Sequence, residues 1–125
     1  MKRILKVVVA LPALLFIALG LRWLVDPVGS AQQFGFVLGS GLGRSSQVAD
    51  FGAFFLTMGV CILMALVSGR RVWYYPSIML LGFAAIGRVL AWVLQDASFA
   101  GSMIAFEVLV AVLLLVGARW LSEKG

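Results

Sequence analysis

The sequence predicts an all-α integral membrane protein: one bundle of four transmembrane helices with both termini in the cytoplasm. Three observations lead there. Of its 125 residues, 63% are hydrophobic and only 12% charged, where a soluble domain carries roughly 25% charged residues. Four apolar stretches, about 7–25, 51–68, 72–94 and 99–118, approach the roughly 20 residues that a helix needs to cross a bilayer. The basic residues, finally, gather on alternate connections between these stretches.

The same composition narrows the function. The net charge of +5 is spread over the ends of the spans rather than clustered on one face, so topology and anionic lipid explain it and no nucleic-acid partner is expected. Cys61 is the single cysteine and lies in an apolar run, which excludes an intrachain disulfide. With no histidine at all, zinc, haem and imidazole chemistry lose their commonest ligand, and neither a metal nor a cofactor is expected.

The first span follows Lys2, Arg3 and Lys6 and contains Pro12, which a membrane helix tolerates because its neighbours re-satisfy the freed backbone groups. A basic start and the small residues Gly29, Ser30 and Ala31 also resemble a signal peptide. The apolar stretch exceeds a usual signal-peptide core, however, and Arg22, Trp23 and Asp26 precede that cut, so an uncleaved helix is expected. Asp26-Pro27 ends it, because proline disfavours helix at the preceding residue. Residues 26–50 combine five glycines with Phe34, Phe36, Val37 and Leu38. They read either as an apolar cap on the membrane surface or as a flexible loop. Asp50 then opens the second span.

The turn at Gly69, Arg70 and Arg71 leads into the third span, whose Trp73, Tyr74 and Tyr75 match an interfacial aromatic belt. A short turn at Asp96, Ala97 and Ser98 separates it from the fourth, which Arg119, Trp120, Glu123 and Lys124 follow. Lys2, Arg3, Lys6, Arg70, Arg71, Arg119 and Lys124 then share one side; the other side's connections hold Arg44 with Asp26, Asp50 and Asp96. The positive-inside rule makes the first side, with both termini, cytoplasmic. The expected location is a bacterial inner membrane.

Arg88, inside the third span, is the residue that needs explaining. An arginine at mid-span costs roughly 2.5–3.5 kcal/mol on insertion scales and therefore has a partner or a wet cavity. It lies about 10 Å below the outer end of its helix, and Glu107 about 12 Å below the outer end of the fourth, at 1.5 Å per residue. Arg22 and Asp50 sit near the same level, giving one charge from each helix. Arg88, Trp92 and Gln95 share a helical face, as do Asp50, Phe54, Thr57 and Cys61, and Met103, Glu107 and Val110. These stripes are expected to face one another. Two readings are open: a structural ion-pair network, whose net contribution to stability is small, or a polar site.

The third span ends in GRVLAWVLQD, the fourth carries AFEVLVAVLLL, and the second holds Asp50, Gly52 and Gly59. Together these resemble a family of small, uncharacterised bacterial four-helix membrane proteins similar to the DoxX-like group. The resemblance spans about residues 11–118 and is most specific around Arg88 and Glu107. It implies a four-helix bundle, and some DoxX-like proteins are linked to quinone or sulfur redox chemistry.

Two functional classes follow. The first is an outer-leaflet pocket that binds, with or without acting on, an amphiphilic lipid-like molecule such as an isoprenoid or quinone. In it Arg88, with Arg22 and Gln95 as further ligand-binding residues, would hold an anionic or carbonyl group. Glu107 or Asp50 would give or take a proton, and Trp92, Phe54 and Trp23 would form the walls. The second is a non-enzymatic accessory protein whose buried charges serve folding and assembly. A channel or transporter ranks third, four spans being few for a pore unless the protein oligomerises. Membrane lipid and a hydrophobic small molecule are the expected partners, with self-association into a homo-oligomer left open.

Overall fold

The protein, described by a computed structural model over residues 2–123 and Gly125, is helical throughout, with no strand among the described residues. The elements are α1 (Lys2–Val25), α2 (Pro27–Phe34), α3 (Gly41–Ser68), a 3-10 turn (Arg71–Tyr74), α4 (Tyr75–Leu94) and α5 (Gly101–Trp120). Four segments are long and apolar enough to cross a membrane: α1, α3, the 3-10 turn with α4, and α5. Large apolar side chains such as Leu11, Phe83 and Leu109 point outward from the bundle with more than half of their surface exposed, as lipid-facing residues do.

α1 stops where Asp26-Pro27 requires. Asp26 Oδ1 accepts a hydrogen bond from Gly29 N–H at 3.1 Å and Pro27 fills the first helical position, so α2 starts immediately with its donors capped. Gly35, at φ 73°, ends it. The expected second-span start at Asp50 is corrected here: α3 begins at Gly41 and Asp50 lies in its third turn. Glycine and serine in 39–46 read as coil, yet the side chain of Gln47 holds this end. Its Oε1 accepts from Gly39 N–H at 2.6 Å and its Nε2 donates to the Val37 carbonyl at 3.1 Å. Arg44 Nε donates to the Gly39 carbonyl at 2.8 Å. Residues 26–50 are thus a cap made of α2, a tied-down link and the start of α3.

α1 and α3 run antiparallel in the most extensive helix–helix contact of the bundle. Glycine permits it. A Cβ on Gly59 would sit 2.6 Å from the Ala13 carbonyl oxygen, and one on Gly20 would sit 2.9 Å from the Leu56 nitrogen. In lipid, where apolar burial between helices gains little, such close packing is what holds helices together. α4 and α5, joined by residues 95–100, form a second antiparallel pair. The pairs meet where Ser77 Oγ donates to the Met58 carbonyl at 2.8 Å in a fully buried contact, and where Val9 of α1 lies beside Gly117 of α5.

The four helices therefore close in the order α1, α3, α4, α5, each antiparallel to its neighbours. The starts of α1 and α3's successor turn and the end of α5 share one end of the bundle, the terminal end. There Arg71 Nε donates to the Ala118 carbonyl at 3.1 Å, satisfying one of the orphan acceptors at the close of α5. The core of this half contains Val9, Ala13, Met58, Ile62 and Leu114, all with 0% of their surface exposed. α2 and the 95–100 connection mark the opposite, distal end.

Candidate functional site

Toward the distal end the four helices line a half-open cavity of about 460 Å³, within the size range of small-molecule sites. Phe16 and Leu19 of α1, Phe51, Phe54 and Phe55 of α3, Leu81 and Ala84 of α4, and Met103 and Phe106 of α5 line it. Phe34 of α2 and Phe36 of the link add the cap to its wall. Seven of the chain's nine phenylalanines are therefore in one lining. Their rings support each other: Phe34 stacks on Phe55 at 5.5 Å, Phe36 on Phe51 at 5.1 Å, and Phe54 meets Phe55 edge-on at 5.1 Å.

The polar side chains of this lining are Arg88, Glu107 and Ser102. Arg88 lies six residues before the end of α4 and Glu107 six after the start of α5, both about 9 Å from their helix ends at 1.5 Å per residue. Equal depth on antiparallel neighbours brings them together: Arg88 Nε donates to Glu107 Oε1 at 2.9 Å. Glu107 is 6% exposed, and the Arg88 side chain 34%. The guanidinium is thus at the edge of the cavity and the carboxylate within it. This single bond leaves both Nη groups and Oε2 without a hydrogen-bond partner among the described residues. None of the three is sealed from open space.

The expected cluster of four charges is corrected by this arrangement. Asp50 is exposed, makes no ion pair among the described residues and does not line the cavity. With α3 starting early, that residue belongs to the helix's outward face rather than to its opening turn. Arg22 serves the corner between α1 and α2 instead, donating from Nη1 to Gln33 Oε1 at 2.6 Å, with Nε 3.6 Å from Asp26 Oδ2. Trp92 and Gln95 are also outside the lining. Above Arg88, α4 has the 95–100 connection beside it, and Trp92 turns its ring onto Phe99 at 4.8 Å. Gln95 is an exposed cap residue. Trp23 is fully buried one layer behind the wall, 4.9 Å from Phe51 and 6.0 Å from Phe34. Of the eight residues assigned to the site from the sequence, Arg88, Glu107 and Phe54 reach the cavity, and Met103 of the Glu107 stripe lines it too.

The aromatic lining went unread, although a signal was there: five phenylalanines fall between positions 34 and 55. No three of the described His, Cys, Asp and Glu side chains come together as a metal cage. Chemically, the site offers an apolar, aromatic enclosure with one hydrogen-bonding ion pair in its wall. Comparison with family models, curated proteins and solved structures finds no match for this chain.

Proposed function

We propose that this is a small inner-membrane protein of bacteria whose distal cavity faces the outer leaflet and binds, with or without acting on it, an amphiphilic lipid-like molecule such as an isoprenoid or a quinone. The observation that carries the reading is a roughly 460 Å³ aromatic enclosure with the Arg88–Glu107 pair in its wall. Ligand sites have this composition: mostly apolar surface with a few convergent polar groups. An ionisable pair inside a span is a functional hypothesis by default. Arg88 would bind the head group and Glu107 would give or take a proton if the ligand reacts. The rings of Phe34, Phe36, Phe51, Phe54 and Phe55 would hold the apolar part. Kinship with DoxX-like proteins is proposed on the sequence around Arg88 and Glu107. Cytoplasmic termini are proposed on the seven basic residues of the terminal side.

A second reading has its own support. The 2.9 Å bond ties α4 to α5 directly, so the pair also suits an accessory protein in which it serves assembly. One experiment separates the two: replace both charges with apolar residues (Arg88→Met with Glu107→Leu), purify the protein in mild detergent and extract what is bound. The ligand reading expects a folded variant that has lost a lipid-like molecule carried by the wild type. Wild-type protein that carries no more than bulk lipid would refute it.

A further inference from the structure

Resting on the ligand-binding reading above, we infer that the cavity takes a neutral amphiphile whose head group both donates and accepts hydrogen bonds, a long-chain alcohol in the simplest case. Anionic and cationic amphiphiles are discriminated against.

The charge of the site points to a neutral head. Arg88 and Glu107 cancel each other across 2.9 Å, and the cavity lining contains no third charge. An anionic head would have to share Arg88 with a carboxylate already in contact with it, and a cationic head would meet the guanidinium beside Glu107. In either case an ion loses its water inside an aromatic wall without a free counter-charge, which is expensive.

The hydrogen-bond inventory specifies the head further. Nη1 and Nη2 of Arg88 are free donors and Oε2 of Glu107 a free acceptor, none of them sealed from open space. A hydroxyl meets both at once, accepting from Nη–H while donating to Oε2. A carbonyl or ether uses only the donors and leaves Oε2 of a 6% exposed glutamate without a partner, a penalty a well-matched head avoids. Of the ligands proposed above, an isoprenoid alcohol is therefore favoured over a quinone and over the anionic or carbonyl group expected from the sequence. Size sets no tail length: the cavity of about 460 Å³ is open on one side, so it takes the head group and the first part of a chain whose remainder extends beyond it.

The test uses full-length protein in lipid nanodiscs and a diazirine-bearing tetradecanol as photoaffinity probe. Labelling is expected on cavity residues, Phe54, Met103 or Phe106. Excess unlabelled tetradecanol should suppress it at concentrations about tenfold lower than its methyl ether, tetradecanesulfonate or tetradecyltrimethylammonium, since a mismatched or unpaired polar group costs about that factor or more. A sulfonate, ammonium or ether that competes as well as the alcohol overturns the inference while leaving the binding site standing. Absence of labelling in the cavity overturns the binding reading itself. Glu107→Gln sharpens the result: with Arg88 uncompensated, the preference should invert toward the sulfonate. Retained preference for the alcohol in a folded Glu107→Gln protein would show that the pair's neutrality does not set selectivity, and would overturn the inference.

Discussion

The two ends of the bundle contain the same four helices and solve opposite problems. At the terminal end, small side chains let backbones approach: Gly59 and Ala13 sit against each other, and Ile62, Met58 and Leu114 fill what is left. At the distal end, seven phenylalanines surround a space instead of filling it. An aromatic ring has few rotamers and a rigid shape, so a ring of them braced against one another cannot collapse inward as methionine or leucine would. The difference teaches where each half's stability comes from. The terminal half depends on close packing, whereas the distal half adds ring-on-ring contacts, the cap and one ion pair to the α1–α3 seam that continues there through Gly20 and Gly52.

Changes at the tight end should do the most damage. Gly59→Val adds a branched side chain where even a Cβ falls 2.6 Å from a carbonyl oxygen. It should cost more than the about 1–3 kcal/mol typical of overpacking, because backbone rather than side chain must yield. Thermal unfolding in detergent should show protein that barely folds; a wild-type melting curve would remove the distinction between the two ends.

Arg88→Ala comes next. Breaking a fully buried pair costs about 3–5 kcal/mol, but the Arg88 side chain is one-third exposed, so about 2 kcal/mol is expected. The double Arg88→Met, Glu107→Leu variant should recover most of that loss, as apolar replacements of buried pairs commonly do. A double variant less stable than Arg88→Ala would make the pair an essential support of the distal half.

Ser77→Ala removes the buried bond to the Met58 carbonyl and should cost about 1 kcal/mol without affecting the cavity. Asp50→Asn should have the smallest effect, within about 0.5 kcal/mol for an exposed residue with no partner. If Asp50→Asn altered ligand retention as strongly as Arg88→Ala, the cavity would have to extend to the outer face of α3.

Much of this architecture is legible in the chain. The number of spans, the break at Asp26-Pro27 and the meeting of Arg88 with Glu107 follow from hydropathy, proline stereochemistry and equal depth on adjacent helices. The start of α3 was not legible, because Gln47 and Arg44 hold a glycine-rich turn by contacts to residues eight to ten positions and five positions away, which no local pattern signals. Nor were the fates of Trp92, Gln95 and Asp50. Helical spacing says which residues share a face, but not what stands opposite at each level. The 95–100 connection sits beside the top of α4, and so the Arg88 stripe leaves the interior there. The aromatic wall escaped for a related reason: its members come from three helices, the cap and the link, so they form a set only in space.

The glycine contacts between α1 and α3 have a consequence for how this protein can diversify. Where backbone touches backbone, almost every substitution is forbidden, so the scaffold is fixed by a handful of positions such as 20 and 59. The rings at 34 and 36 are under no such restriction, belonging to α2 and its link rather than to the tight seam. Trimming either to leucine enlarges the cavity at its rim and removes some ring-on-ring contacts, but leaves the α1–α3 seam untouched. A saturation library scored for folded protein should therefore tolerate change at 34 and 36 and reject it at 20 and 59. The cavity could then change shape while the α1–α3 seam stays as it is.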